Sequence, residues 1–219
     1  TSVMTDMLRN SARQLVLAEV HKHRVEAATV DHYQASGIQA LRTENELWRG
    51  LFGLMFWDII FDPAFAEGNE FDWRPYHLRH NNLYHDQTER VEALLIQCET
   101  MDALKQHIIA QATAHYGEPN GIFRWHKQIL KRLVLFIEHA KAASLGNVLK
   151  AMAQDYAMYS DGFPDIMVID NQQVRFEEIK ATGDSIRKNQ LLTLSMLSKA
   201  GISVGITTVS WGVNPMQPY

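Results

Sequence analysis

Asp165, Glu178 and Lys180 are the residues of this sequence whose types and spacing best fit a chemical role. Side chains alternate along a β-strand, so Glu178 and Lys180 share one face if their segment is extended, and Ile179 faces the other way. Asp165 follows the turn-forming pair Phe163-Pro164 and reaches the same face from the neighbouring strand. Two carboxylates and an ammonium around one point can hold a divalent metal ion beside a phosphate. A solvated hairpin with an ordinary cross-strand ion pair would show the same spacing, because short motifs often match by chance.

The chemistry that such a group of side chains supports is hydrolysis at a phosphate. Hard cations such as Mg²⁺ take oxygen ligands, often one or two carboxylates together with waters and the substrate phosphate. A lysine beside the metal orients the attacking water or stabilises the negative charge that develops on the phosphate. We therefore expect Mg²⁺ or Mn²⁺ as the cofactor.

The elements that would position these residues are a β-hairpin and the helix and strand that follow it. Two β-prone runs, Ile166–Ile169 and Val174–Ile179, flank the turn-forming pair Asp170-Asn171. A helix is predicted from about Ser185 to Lys199, where a glycine soon ends it, and a last strand over Val204–Val209. This order of elements favours an α/β core in which the hairpin carries the chemistry.

The hairpin sequence is similar to the D-x(n)-E-x-K signature of the PD-(D/E)xK nuclease superfamily, and it resembles the VRR-NUC domain more closely. The first half of the signature is Gly162-Phe163-Pro164-Asp165, which precedes an apolar strand. The second half is Glu178-Ile179-Lys180, followed by Ala181-Thr182-Gly183-Asp184 and a helix containing Lys188-Asn189-Gln190. The resemblance implies that Asp165 and Glu178 are metal ligands, with the carbonyl of Ile179 as a further one, and that Lys180 orients water or stabilises charge.

A second match lies far upstream, at Glu44 and the apolar run Leu51–Phe61. It resembles the Fanconi-associated branch of the family, in which a helix bearing a distant Glu supplies a further metal ligand. The resemblance thus implies that Glu44 is both catalytic and a metal ligand. A carboxylate at a helix start also has an ordinary explanation, since it is favourable at the positive end of the helix dipole.

The resemblance implies an α/β fold with a PD-(D/E)xK restriction-endonuclease-like core, a small mixed sheet flanked by helices, and a large helical insertion. We expect a single VRR-NUC-type nuclease domain over residues 1–219. Within it, the expected parts are N-terminal helices with the Glu44 core helix in 1–61, the insertion in 62–150 and the catalytic αβ core in 151–219.

Helical spacing of apolar residues predicts further helices over residues 4–29, 86–97, 101–115, 122–143 and 145–159. Thr43 is a plausible N-cap for the Glu44 helix, in which Glu44, Trp48 and Leu51 are spaced to share one face. Residues 214–219, with two prolines, have the composition of a tail or linker.

The formal net charge of −4 provides no global attraction to nucleic acid, so DNA contacts must come from local basic patches. One candidate patch is Arg124, Lys127, Lys131 and Arg132, which one predicted helix places close together, although a solvated helix face would look the same. The other is Arg187, Lys188 and Gln190, in the first turns of the helix after Lys180.

Other site classes have weaker support. Cys98 is the one cysteine, which excludes an intramolecular disulfide and suits a reducing cytoplasm. His77, His80 and His85 match no recurrent zinc spacing. The longest apolar run, Leu47–Phe61, is shorter than the roughly 20 residues of a membrane span, so we expect no membrane partner. Since the chain starts with Thr1, we expect a processed product or a piece of a longer protein.

The resemblance therefore implies a metal-dependent DNA endonuclease, with flapped, branched or nicked DNA as substrate and a role in DNA repair. We expect a cytoplasmic protein, which associates with the nucleoid if the organism is a bacterium and is nuclear if the organism is a eukaryote. Two alternatives stay open: a resolvase of four-way junctions with the same catalytic residues, and a DNA-binding module of this fold without activity. The oligomeric state is also open.

Overall fold

The computed structural model describes residues 12–66 and 74–212. The described chain forms two compact units. The sheet unit contains the residues up to Glu44, Gly162–Ser198 and those from Ser203 onward, and the helical unit contains Asn45–Asp161 and Lys199–Ile202. The helical unit thus begins earlier than the predicted insertion at residue 62. The predictions for residues 4–11 and 214–219 lie outside the described residues.

A five-stranded mixed sheet in the order β1-β5-β4-β3-β2 forms the sheet unit's centre. β5 pairs in parallel with β1 and β4, whereas β3 pairs antiparallel with β2 and β4. The strands are β1 (Arg13–Ala18), β2 (Gln39–Arg42), β3 (Ile166–Asp170), β4 (Gln173–Ala181) and β5 (Val204–Gly212).

The β3–β4 hairpin agrees with the prediction except at its turn. Asp170 pairs with Gln173, so the turn consists of Asn171 and Gln172 rather than Asp170-Asn171. Both turn residues have positive φ, 49° and 63°, as a type I′ turn requires for a two-residue loop. Asn tolerates this conformation, but Gln has no such preference, which is why the sequence did not identify the second turn position.

Eleven α-helices occur among the described residues. They are α1 (Val25–Ala35), α2 (Glu44–Met55), α3 (Trp57–Ile60), α4 (Tyr76–Arg79), α5 (Leu83–Asp86), α6 (Thr88–Gln97), α7 (Met101–His115), α8 (Ile129–His139), α9 (Ala142–Gln154), α10 (Tyr156–Tyr159) and α11 (Lys188–Ala200). Short 3₁₀ turns cover Glu19–His21 and Pro63–Phe65. In the described part of the chain, no helix combines the length and the apolar character needed to cross a membrane.

The prediction of one helix over residues 4–29 is wrong for its described part. Arg13–Ala18 is the edge strand β1, with Val16 67% exposed and its neighbour Leu17 only 8% exposed. This alternation has the period of a strand, and parallel pairing with β5, which is distant in sequence, stabilises it. The helix starts only at Val25.

The predicted helix over 122–143 is also shorter than expected, because residues 122–128 are not helical. The side-chain oxygen of Asn120 accepts hydrogen bonds from the backbone amides of Ile122 and Phe123, which commits those amides to a turn. The helix begins at Ile129. By contrast, the predicted helices over 86–97 and 101–115 are present as α6 and α7.

The sheet unit has its apolar core between the sheet and α1. Tyr33 of α1 and Ile179 of β4 are among its members, and the others are Leu17, Ala28, Ala40, Ile166, Val168 and Val209. Burying one such aliphatic side chain contributes roughly 1.5–3 kcal/mol. Because Ile179 is committed to this face, its strand neighbours Glu178 and Lys180 are directed to the opposite face.

Gly162 brings the start of the β3–β4 hairpin against the first turn of α11. Its φ is +78°, and a Cβ placed there would lie 2.7 Å from the carbonyl oxygen of Asn189 and 3.1 Å from the backbone nitrogen of Gln190. Both neighbours are backbone atoms, which cannot move aside cheaply. Glycine is therefore required by conformation and by space at once.

We predict that Gly162→Ala lowers the free energy of unfolding by about 2–4 kcal/mol, because it adds left-handed strain and a backbone collision. The matched control is Gly37→Ala, since Gly37 has a φ of +75° but nothing within 4 Å of a Cβ. The control should cost only about 1 kcal/mol. Chemical denaturation of the three proteins measures both, and equal losses would show that the contact with α11 does not constrain the fold.

Candidate active site

Glu178 and Lys180 point to the same side of β4 and form an ion pair. The Nζ atom of Lys180 lies 2.8 Å from Oε1 of Glu178. The Glu178 side chain is fully buried, and that of Lys180 is only 15% exposed. Residue i and residue i+2 of a strand share a face, which is the arrangement that the E-x-K spacing predicted.

Asp165 lies immediately before β3, opposite Glu178. The pair Ile166–Glu177 starts the antiparallel register, and one further step aligns Asp165 with Glu178. Oδ2 of Asp165 accepts a 2.7 Å hydrogen bond from the backbone amide of Ile179. This bond fixes the carboxylate against β4, so both predicted carboxylates and the Ile179 backbone are brought together.

Gln190 was predicted to contact phosphate together with Arg187 and Lys188. Its side chain instead binds the Glu178–Lys180 ion pair. Its Nε2 donates to Oε1 of Glu178 at 2.6 Å, and its Oε1 accepts from Nζ of Lys180 at 3.2 Å. The same Oε1 accepts from the backbone amide of Arg187 at 3.0 Å. Gln190 therefore orients Glu178 and Lys180, whereas the side chains of Arg187 and Lys188 are exposed.

The two carboxyl groups of this site have raised pKa values. Burial raises the pKa of Glu178 to about 7, and repulsion by Asp165 adds to the effect although Lys180 opposes it. Burial likewise raises the pKa of Asp165 to about 6, against the lowering effect of the Ile179 amide. Charges on Glu26 and Glu44 raise the pKa of Asp165 further. The site is therefore an electrostatically unfavourable place for two carboxylates without a cation.

Glu44 is tied to Asp165 through the backbone. The carbonyl oxygen of Asp165 accepts from the amides of Thr43 at 3.0 Å and Glu44 at 3.3 Å. Within the described residues the Thr43 hydroxyl has no hydrogen-bond partner, so the predicted side-chain N-cap is wrong. Glu44 itself has a φ of 46°, and its side chain is 53% exposed while Trp48 is fully buried. The prediction of a face shared by these two residues is therefore wrong as well.

Glu44 and Glu26 form an outer acidic pair around Arg42. A guanidinium nitrogen of Arg42 lies 3.0 Å from Oε1 of Glu44 and 3.9 Å from Oε2 of Glu26. Residues 12–66 and 74–212 contain no cluster of three or more His, Cys, Asp or Glu side chains with metal-binding geometry. That Glu44 joins Asp165 and Glu178 as a third ligand of one metal ion stays a prediction.

Glu26 was not among the predicted site residues. It lies in the first turn of α1 and raises the pKa values of both Asp165 and Glu178. The predicted helix over residues 4–29 places Glu26 near its end, whereas the observed helix starts at Val25 and has Glu26 in its first turn. The sequence of Arg13–Ala18 has no alternation of polar and apolar residues that would have identified the strand.

A divalent cation suits this donor set. Oε2 of Glu178 is buried and has no hydrogen-bond partner among the described residues, an unusual condition for a carboxylate oxygen. Four carboxylates, Glu26, Glu44, Asp165 and Glu178, face two cations, Arg42 and Lys180. If all are ionised, two negative charges stay unbalanced. All-oxygen donors with this excess charge fit Mg²⁺ or Mn²⁺ rather than softer metals.

The four residues of the predicted basic patch do not share one helix. Arg124 and Lys127 precede α8, while Lys131 and Arg132 lie in its first turn. The backbone amide of Arg124 donates to Oε2 of Glu46. Arg124, Lys127 and Lys131 are exposed, and Arg132 is partly exposed.

His77, His80 and His85, which match no recurrent zinc spacing, have separate partners. Nδ1 of His77 lies 3.1 Å from Oδ1 of Asn82, and Nδ1 of His85 lies 2.7 Å from Oδ1 of Asp86. The ring of His80 packs against Tyr76 with centroids 4.5 Å apart. In the described ranges these histidines form no metal cluster.

The comparisons with known proteins agree with the resemblance in the sequence. A family model described as the VRR-NUC domain matches residues 99–211. A Fanconi-associated nuclease 1 homolog of Arabidopsis thaliana is 26% identical over 194 residues, which cover 84% of this chain and 22% of that protein. Fanconi-associated nuclease 1 of Homo sapiens is 25% identical over 193 residues, which cover 84% and 19%. The chain thus spans about a fifth of the length of these curated relatives.

A solved structure, paFAN1 bound to 2nt 5′ flap DNA with a gap, has a similar fold. Its TM-score is 0.80 at 24% sequence identity, covering 93% of this chain and 38% of that chain. The predicted fold class, a small mixed sheet flanked by helices as in PD-(D/E)xK nucleases, is confirmed.

The raised pKa values predict how stability depends on pH without metal. The folded protein binds more protons than the unfolded chain between about pH 4 and pH 7, so the contribution of Glu178 becomes unfavourable as the pH rises through this range. In EDTA at pH 8, Glu178→Gln should stabilise the protein by about 2 kcal/mol, because the amide keeps an oxygen for Lys180 and loses the charge. The gain should largely vanish at pH 5.

Urea denaturation at both pH values measures this difference. The control is the neighbouring Glu177→Gln, since the Glu177 carboxylate accepts from Tyr33 at 2.9 Å and lies 3.6 Å from Arg175 on the other sheet face. It should destabilise the protein at both pH values. A Glu178→Gln protein less stable than wild type at pH 8 would mean that the ion pair with Lys180 outweighs desolvation.

Proposed function

This chain belongs to the VRR-NUC domain family, and from that membership we propose that it hydrolyses phosphodiester bonds in DNA with the help of a divalent metal ion. The activity is that of a nuclease, in keeping with the nucleases that it resembles. The observation that carries the proposal is the buried cluster of Glu178, Lys180 and Gln190 beside Asp165. A structural hairpin has no need for a buried carboxyl group that faces a second carboxyl group and has one oxygen without a hydrogen-bond partner among the described residues.

Each residue of the site has a role that follows from its contacts. Asp165 and Glu178 would hold Mg²⁺ or Mn²⁺, and we propose Glu44, Glu26 and the Ile179 carbonyl as further donors. A bound metal of this class lowers the pKa of a water molecule and neutralises charge on the phosphate. Lys180 carries a positive charge whose position Glu178 and Gln190 fix, so it can hold the attacking water or the developing charge without reorganising.

The proposed substrate is flapped or branched DNA. A protein of similar fold has been solved with 5′ flap DNA, and the curated relatives are named Fanconi-associated nucleases. We extend to this chain a preference for flaps, an endonucleolytic mode and a role in DNA repair. It would act where the DNA is, in the nucleus of a eukaryote or with the bacterial nucleoid.

The assignment of the site predicts that Lys180→Ala and Asp165→Ala each lower the rate of flap cleavage by at least about 10³-fold. DNA binding should persist, because most affinity comes from phosphate contacts outside the reacting group. Single-turnover cleavage of a labelled 5′ flap in Mn²⁺ and binding in Ca²⁺ measure the two effects. The control is Lys22→Ala. Lys22 forms an exposed ion pair with Glu19, so this variant should cleave DNA at the wild-type rate. Wild-type rates in Lys180→Ala would remove Lys180 from the mechanism.

The donor set predicts that cleavage needs Mg²⁺ or Mn²⁺ and stops in EDTA, with Ca²⁺ supporting binding but no turnover. Glu44→Gln should weaken Mn²⁺ binding and lower the rate by about 10²-fold, since it removes a charge while keeping the shape of the side chain. Mn²⁺ binding is followed directly by electron paramagnetic resonance, which needs no DNA.

The matched control for Glu44→Gln is Glu46→Gln. Oε2 of Glu46 accepts from the Arg124 amide, and a glutamine keeps an oxygen for that bond, so metal binding and rate should be unchanged. Normal Mn²⁺ binding in Glu44→Gln together with a defect in Glu26→Gln would transfer the ligand role to Glu26. Dependence on Zn²⁺ would contradict the all-oxygen site.

A further inference from the structure

An aromatic group with an exposed edge lies where α7 ends and the chain runs toward α8 in the helical unit. The centroids of Tyr116 and Trp125 are 5.2 Å apart, with the rings tilted by 56°. Trp125 also packs on Phe123 at 4.9 Å, and its Nε1 donates to the carbonyl oxygen of Glu118 at 2.8 Å. Trp125 is thus fixed from two sides, whereas Tyr116 is 65% exposed. A fixed ring beside an exposed one offers a π-face to a ligand.

Three cations belong to the same stretch of chain. Arg124 is adjacent to Trp125 in sequence, and Lys127 and Lys131 follow it. No carboxylate forms an ion pair with any of these three among residues 12–66 and 74–212. Lys131 lies in the first turn of α8, where the positive end of the helix dipole disfavours its charge. That first turn contains no acidic residue. Their positive charge is available to an anion.

The acidic groups beside the rings are already engaged. His115 stacks on Trp57 at 4.6 Å, and its Nδ1 lies 3.2 Å from Oε2 of Glu118. Asp58 lies 3.9 Å from Nε2 of His115, and its Oδ2 accepts from Gln111 at 2.9 Å. These contacts direct the nearby carboxylate oxygens toward His115 and Gln111.

We propose that Tyr116, Trp125, Arg124, Lys127 and Lys131, the stacking surface, bind a single-stranded segment of DNA. Unpaired bases stack on Tyr116 and the cations contact the phosphates. An aromatic face combined with unpaired cations suits a single strand, since stacking accepts any base and the charges follow the backbone. A duplex has its bases stacked on one another and gains only from the cations. A protein partner would not require several cations without counter-ions.

This inference rests on the proposed nuclease function and adds to it a contact for the unpaired part of the substrate. Its test measures binding alone, with the full chain in EDTA. The probes are fluorescein-labelled oligothymidylate and a labelled duplex of equal length, each followed by anisotropy. Tyr116→Ala should weaken oligothymidylate binding by about tenfold, and duplex binding by less than about twofold. Tyr116→Phe should bind as wild type, because the ring and not the hydroxyl stacks.

The cations are tested through the dependence of binding on salt. Lys127→Gln should lower the slope of log Kd against log salt for oligothymidylate by about 0.7, the value for one phosphate contact on a single strand. Lys105→Gln is the control, since Lys105 is paired with Glu138 at 3.2 Å and should leave the slope unchanged.

Equal oligothymidylate affinities for Tyr116→Ala and wild type would overturn the stacking surface, as would an equal loss on the duplex. No binding of oligothymidylate by the wild type would overturn it too. The nuclease proposal fails separately. If the wild type cleaves no DNA in Mn²⁺ while oligothymidylate binding still depends on Tyr116, the stacking surface stands and the nuclease assignment is wrong.

Discussion

The sheet unit depends on how it accommodates the buried carboxylate of Glu178. An ionised group without solvent contact is costly unless other groups neutralise and hydrogen-bond it. Lys180 neutralises it from the same strand, and Gln190 reaches it from α11. Gln190 can do so because Gly162 lets the hairpin lie directly against the backbone of the first α11 turn. The strand periodicity, the helix and the glycine thus serve one electrostatic requirement. One oxygen, Oε2, is left without a partner among the described residues.

The two adjacent glutamates on β4 are both buried, and each has one oxygen, Oε2, without a hydrogen-bond partner among the described residues, but their charged neighbours differ. Glu177, on the opposite face, is also buried, and its Oε1 accepts from both Tyr33 and Thr207. Arg175 forms an ion pair with it and lies over the Tyr33 ring. Cationic and hydroxyl partners from α1, β4 and β5 therefore hold Glu177 in place. Glu178 instead faces Asp165, a second carboxylate that raises its pKa. The strand is fixed by one glutamate while the other keeps an unfavourable charge that a metal ion would relieve.

The sequence predicted the parts of the fold that local patterns determine. The hairpin, α11 and the last strand follow from short-range periodicity, and the E-x-K spacing places Glu178 and Lys180 on one face for the same reason. The errors arose where long-range contacts decide. β1 exists because β5, distant in sequence, pairs with it, and the loop before α8 exists because Asn120 captures the amides of Ile122 and Phe123. Glu26 was missed along with the strand that precedes its helix.

Glu44 shows why helix phase alone could not assign the more distant part of the site. Its φ of 46° is a left-handed conformation that is sparsely populated by residues other than glycine and asparagine. Hydrogen bonds from the Thr43 and Glu44 amides to the Asp165 carbonyl hold the backbone there. The direction of the Glu44 side chain is therefore set by this turn and not by the helical wheel that begins after it. That is why Glu44 is exposed beside Arg42 although Trp48, one helical turn later, is fully buried. Strained backbone of this kind is often found at functional positions, and here the hydrogen bonds that sustain it tie the Glu44 backbone to that of Asp165.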